Sequence, residues 1–119
     1  MKILILDDDK VRHIFFKRNF GHHQLTHVET ASEAIKALTD DTFDAVFLDH
    51  DLGGETFVDS FGTTLNTGYS VAKWISEHPE KAPKEIYIHS LNPVGAENMQ
   101  AILPSSILAP GLWIQKQAV

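Results

Sequence analysis

Ala45-Val46-Phe47-Leu48-Asp49-His50-Asp51-Leu52-Gly53-Gly54 decides how this chain folds, because an apolar run delivers two carboxylates and an imidazole straight into a Gly-Gly turn. The N-terminus repeats the pattern, with Ile3-Leu4-Ile5-Leu6 running into Asp7-Asp8-Asp9. A third run, Ile86-Tyr87-Ile88, ends in His89-Ser90-Leu91-Asn92-Pro93. Three buried strands are therefore expected to end in acidic or imidazole groups. Open α/β sheets place ligand sites at the carboxyl ends of their strands, so these ends are expected to form one site.

Between the runs, helical patterns alternate with strands. Residues 2–6 are apolar without alternation, as in a strand covered on both faces. Asp8 or Asp9 can cap a helix from about Lys10 to Phe20, with Val11, Ile14 and Phe15 on its inner face and Gly21 ending it. Leu25 to Glu29 reads as a second strand, and Thr30-Ala31-Ser32-Glu33 has capping-box spacing ahead of Ala34, Ile35 and Leu38. Tyr69 to Glu77 is a third helix stopped by Pro79, and Ile86 to His89 the fourth strand. Asn92 as cap and Pro93 at the first helical position open a fourth helix that Pro104 closes, and Leu112 to Gln115 supplies a fifth strand. Such alternation implies a parallel sheet with right-handed crossovers. The expected class is α/β: a flavodoxin-like three-layer α/β/α sandwich with a five-stranded parallel sheet in the order 2-1-3-4-5 and the fifth helix missing. Leu52 to Asn66, with Phe57 and Phe61, reads as a long loop leaving the acidic site, either a lid or a surface excursion.

The 119 residues, 43% of them apolar, suit one domain spanning 1–119 with a real core. A formal charge of −6 argues against an extended nucleic-acid surface. Lys10, Arg12, Lys17 and Arg18 form the one dense basic group and read as a solvated helix face. With no cysteine, disulfides and thiolate metal sites are excluded. No apolar run approaches membrane-spanning length, and the N-terminal run is too short for a signal-peptide core, so a cytoplasmic location is expected.

Carboxylates gathered at one edge repel and lose solvation, a penalty that a hard divalent cation removes. Mg²⁺ or Mn²⁺ is the expected cofactor, since such ions favour oxygen ligands. The competing explanation is that Asp7 to Asp9 only cap the first helix, which accounts for Asp9 but not for Asp7, Asp49 and Asp51 together. A calcium loop starting at Asp49 fails at Gly53 and Ser60, and Gly-rich phosphate cradles are absent.

Over almost its full length the chain resembles the receiver domains of two-component response regulators. The resemblance implies Asp7 and Asp8 as the metal-binding acidic pair, Asp49 as the phosphorylated residue, Asp51 as a backbone metal ligand, and Ser90 as the hydroxyl switch residue. Gln115 stands where the receiver lysine should end the last strand, with Lys116 adjacent. A narrower resemblance rests on Asp49-His50-Asp51-Leu52, Thr67-Gly68, His89-Ser90-Leu91-Asn92-Pro93-Val94-Gly95 and Asn98-Met99. These motifs, in this order, resemble a receiver-derived group proposed to process cyclic phosphates.

That resemblance implies metal-dependent phosphoester chemistry on a cyclic phosphate, either a small molecule or an RNA 2′,3′-cyclic phosphate end. Opening a cyclic phosphodiester needs neutralised phosphoryl oxygens, an in-line nucleophile and a proton for the departing alkoxide. Asp7, Asp8, Asp49 and Asp51 are the candidate metal ligands, with Asp49 alternatively the nucleophile. His50 and His89 are the candidate base and acid, and Ser90 and Asn92 the candidate phosphate binders. Neighbouring residues of a strand face opposite ways, so Asp49 and His50 share one site only if the strand has turned, and the same holds for His89 and Ser90. His50 packed under the third or fourth helix is the alternative. A phosphoacceptor module and a non-catalytic metal-dependent interaction module are the competing functions. The side lacking a fifth helix is expected to suit a homodimer or a protein partner.

Overall fold

The structure is a computed structural model that describes residues 1–50, 57–58, 64–65 and 67–109. Five parallel strands form its sheet: β1 (Lys2–Leu6), β2 (Gln24–Val28), β3 (Ala45–Leu48), β6 (Glu85–Ile88) and β7 (Ile107–Leu108). Their spatial order is β2-β1-β3-β6-β7, which is 2-1-3-4-5 when these five are counted alone. The helices are α1 (Lys10–Phe20), α2 (Ala31–Asp40), α3 (Gly68–Glu77) and α4 (Pro93–Ile102). This is the expected flavodoxin-like arrangement.

Strand alternation divides the core into two layers. Leu4, Leu6, Val46, Leu48, Ile86 and Ile88 pack with α2, α3 and α4 residues such as Leu38, Ile75 and Met99. Ile3, Ile5, Ala45 and Phe47 instead meet Phe15 and Phe16 of α1. Burial of both faces explains why Ile3 to Leu6 of β1 and the whole of β3 are apolar without a break.

The helix starts follow their caps. The Asp9 carboxylate accepts from the amides of Val11 and Arg12, and Thr30 accepts from the Glu33 amide while its hydroxyl donates to the Glu33 carboxylate. The Asn92 side chain accepts from the Gly95 amide, with Pro93 at the first helical position.

Two expectations need correction. The inner face of α1 was read as Val11, Ile14 and Phe15, but Val11 and Ile14 are exposed and Phe15 and Phe16 are buried. Arg12, Phe16 and Phe20 recur every four residues, and packing two aromatic rings against Phe47 removes more apolar surface than Val11 and Ile14 offer. The fifth strand was placed at Leu112 to Gln115, residues that lie outside the described ones. Among the described residues that place in the sheet belongs to Ile107–Leu108, which pairs Tyr87↔Ile107 and Ile88↔Leu108. Its two residues are both exposed, so no periodic signal marks them.

Within the stretch read as a loop, β4 (Phe57–Val58) and β5 (Thr64–Leu65) pair antiparallel. The rest of 52–66, Phe61 included, lies outside the described residues.

Candidate functional site

The rule that built the two core layers also sorts the residues beyond the strand ends. Asp7, Asp49 and His89 continue the alternation of Ile5, Phe47 and Tyr87, and so turn toward α1. They meet there: a carboxylate oxygen from each aspartate and a His89 nitrogen all lie within 4.8 Å of one another. All three are buried, at 0%, 4% and 0% exposure, which puts two carboxylates in a setting that demands a counter-charge. The main chain fixes their positions, because the amides of Asp7, Asp49 and His89 donate to the carbonyls of Val28, Leu6 and Leu48.

Arg12 supplies the counter-charge. Its Nε donates to Asp7 Oδ2 and its Nη2 to Asp7 Oδ1, both at 2.8 Å, while Nη2 also reaches Asp49 Oδ2 at 3.1 Å. Asp8 and Asp9 flank the guanidinium at 3.7 and 3.9 Å. His89 Nε2 donates to Asp7 Oδ2 at 2.9 Å, and the imidazole stands edge-on to Phe16 with ring centroids 5.4 Å apart. His13 Nε2 donates to the Asp7 carbonyl at 2.6 Å and so clamps the backbone from α1.

Arg12 and His13 escaped the sequence reading, which treated the basic residues of α1 as a solvated face and gave His13 no role. The usable signal was the cap. With Asp9 at the N-cap, Arg12 is the third helical residue, and helical side chains lean toward the N-terminus. Its guanidinium is thereby carried back over Asp7.

The opposite parity carries the other candidates away from this group. His50 turns toward α4, where its Nδ1 accepts from the Asn92 side-chain amide at 3.5 Å. A Cβ on Gly95 would lie 2.5 Å from the His50 ring, so a glycine in the first turn of α4 is what lets the imidazole lie against the helix. Ser90 is buried, and its Oγ accepts from the Asn92 amide at 3.0 Å. The structure thus brings Asp7, Asp49 and His89 together, sets Asp8 at their edge beside Arg12, and gathers His50, Ser90 and Asn92 around the start of α4. Asp51 lies outside the described residues.

The two buried carboxyls are driven in opposite directions. Burial pushes Asp7 up, but hydrogen bonds from His89, Arg12 and the Asp9 amide outweigh it and hold the carboxyl at about 2. Asp49 is pushed up to about 6, first by burial, with the attraction of His89 and Arg12 opposing and the repulsion of Asp7 and Asp8 adding. A carboxyl raised above its ordinary 3.8 contributes stability that is whole below that value and lost as pH climbs through about 6. Asp7 works in the reverse sense and loses its contribution only as pH falls toward 2. Melting of the metal-free protein is therefore expected to show wild type losing ground to Asp49→Asn from pH 4 to 7.5, by on the order of 1–3 kcal/mol. A pH-independent difference between the two would contradict the raised Asp49.

A parallel 2-1-3-4-5 sheet with a buried acidic group past β1 and β3 is the arrangement of receiver-type folds, and solved structures agree in fold. The chain is similar to the response regulator TrrA of Thermotoga maritima in complex with Mg(2+)-BeF, at TM-score 0.69 and 18% identity, over 99% of this chain and 95% of that one. It is similar as well to the signal receiver domain of an HD domain-containing protein from Pseudomonas fluorescens Pf-5, at 0.73 and 13%, over 98% and 86% of the two chains. Chemotaxis protein CheY4 of Vibrio cholerae gives 0.70 and 13% over 98% and 94%. At these identities the likeness concerns the fold alone. Residues 2–105 match the Cyclic-phosphate processing Receiver domain family, and the chain belongs to it. No curated protein matches the chain. No helix among the described residues is long and apolar enough to cross a membrane.

Proposed function

We propose that this domain carries out metal-dependent phosphoester chemistry on a cyclic phosphate, with an RNA 2′,3′-cyclic phosphate end as one substrate form. The observation that carries the reading is the buried Asp7–Asp49–His89 group at the tips of three adjacent strands, in a chain of the cyclic-phosphate processing family. The two carboxylates supply the oxygen donors a hard divalent cation prefers, and the imidazole within 4.8 Å of them is hydrogen-bonded to Asp7. Asp7 and Asp49 would hold Mg²⁺ or Mn²⁺, with Asp8 at the edge. A bound cation would neutralise phosphoryl oxygens as charge builds on them.

The protein's own groups divide the remaining work. Asp49 is either a metal ligand or the nucleophile; as nucleophile, its oxygen bonds to phosphorus while the bond to one ring oxygen breaks, and water later hydrolyses the acyl phosphate. His89 is locked between Asp7 and Phe16 and acts as a positioning residue that fixes the Asp7 carboxylate. His50, half-buried against the start of α4 and turned the other way from Asp49, is the group suited to exchange a proton with a departing alkoxide that extends past the tip of β3 toward α4. Ser90 and Asn92 lie beside it and are the candidate phosphate contacts, helped by the amides of the first turn of α4. The direct test is Mg²⁺-dependent opening of 2′,3′-cyclic nucleotides and of RNA carrying such an end. No turnover across that panel, with metal binding intact, would refute the reading.

The second reading, a phosphoacceptor module, is favoured by one observation. The similar TrrA structure holds Mg(2+)-BeF, and Asp49 directly follows the central strand here. Stoichiometric, long-lived labelling of Asp49 by acetyl phosphate without turnover would select it. The regulator lysine was expected at Gln115 or Lys116 because the last strand was placed at Leu112 to Gln115; with that strand at Ile107–Leu108, the residue that follows it is Ala109.

A further inference from the structure

We propose that Arg12 and a divalent cation are mutually exclusive occupants of the Asp7–Asp49 pair, so that Arg12 sets the threshold at which metal enters. The inference rests on the metal site of the preceding section and concerns how that site is filled.

A carboxylate offers about four lone-pair directions, and those of Asp7 are all taken. The Asp9 amide and Arg12 Nη2 donate to Oδ1, each at 2.8 Å, and Arg12 Nε and His89 Nε2 donate to Oδ2 at 2.8 and 2.9 Å. The same Nη2 reaches Asp49 Oδ2 at 3.1 Å, so one nitrogen bridges both carboxylates. An ion bound directly to these oxygens would use lone pairs that Arg12 now holds, at roughly 2 Å for Mg²⁺. It would also stand within a few ångströms of a guanidinium of the same sign, where repulsion is severe away from bulk water. Two donors can stay. The Asp9 amide is a main-chain group and His89 is fixed by burial, and each takes one lone pair, whereas Arg12 takes two and bridges to Asp49.

Arg12 is also the partner able to leave. Its side chain is 20% exposed and lies in the first turn of α1, whose cap is Asp9 and does not depend on the guanidinium. His89 is wholly buried under Phe16. A displaced guanidinium is a planar fork suited to phosphate oxygens, so a phosphate ligand offers it a second partner beside the same carboxylates. Metal and phosphate should therefore bind with positive coupling, and the coupling should pass through Arg12.

Mn²⁺ binding to the full chain, followed by electron paramagnetic resonance with and without inorganic phosphate, tests this. Arg12→Ala is expected to bind Mn²⁺ about tenfold or more tightly than wild type, with Arg12→Lys between them because it keeps the charge but loses the fork. Phosphate should tighten Mn²⁺ binding to wild type and leave Arg12→Ala nearly unchanged. Thermal melts check folding, and Arg12→Gln replaces the alanine variant if that one unfolds. Equal or weaker Mn²⁺ binding by the folded neutral variant would overturn the exclusion while leaving the metal site standing. Failure of every variant and of wild type to bind Mn²⁺ would remove the metal site itself, and the exclusion with it.

Discussion

Asp49→Asn is expected to lower cyclic-phosphate turnover at least about a thousandfold, whichever of its two roles Asp49 fills. As nucleophile the carboxylate has no substitute in an amide. As metal ligand it loses the negative charge that repays removal of a dication from water. The change keeps the volume of the side chain, so the packing beside Leu48 and the bond from Arg12 can persist. What separates this result from simple damage is its sign in stability: the variant should melt higher than wild type above pH 6 without metal, because a buried charge has been removed. An inactive, more stable protein marks a functional group held against its own solvation. Activity within tenfold of wild type would remove Asp49 from the chemistry.

The second large effect is structural. Gly68 opens α3, and its amide donates to the His50 carbonyl at 3.0 Å. A Cβ there would lie 1.9 Å from the Asp49 carbonyl oxygen, 2.7 Å from its carbonyl carbon and 2.9 Å from the His50 Cα. All three are main-chain atoms at the tip of β3, so no side chain can rotate away. Gly68→Ala is expected to lose about 3 kcal/mol or more, which corresponds to a fall in Tm on the order of 10 °C or more. If the variant folds, relief must come from shifting α3 or the β3 tip, and Asp49 moves with it. Turnover should then fall further than the folded fraction accounts for. A Tm within about 2 °C of wild type would show that the two segments are not in close contact.

Much of this architecture was legible in the sequence because strands buried on both faces leave an unambiguous trace. Ile3 to Leu6, Ala45 to Leu48 and Ile86 to Ile88 could hardly be anything else, and their polar successors had to lie along one edge. Alternation allowed Asp49 and His50 to share one site only if the strand had turned, and in the structure Asp49 faces α1 while His50 lies against α4. Arg12 was hidden because a basic residue on a helix reads as solvated unless the helix start is known to the residue. The inner face of α1 was misjudged because Val11 and Ile14 fit the period as well as Phe16 does, and ring size decides between them. Ile107–Leu108 was passed over for Leu112 to Gln115 because two exposed residues carry no pattern of their own. Their place in the sheet comes from the neighbouring strand, through bonds such as that from the Ala109 amide to the Ile88 carbonyl at 2.7 Å.

The pleat at the tip of β3 has a consequence for how such domains diversify. Asp49 and His50 are joined by one peptide bond yet answer to different halves of the molecule, the first to α1 and the second to α4. Substitutions on either helix can retune one of them and leave the other's surroundings intact, so charge handling and ligand choice are free to drift separately. Deleting a single residue from β3 would exchange the two in one step, which makes the length of that four-residue strand a stricter inheritance than the identity of any apolar residue within it.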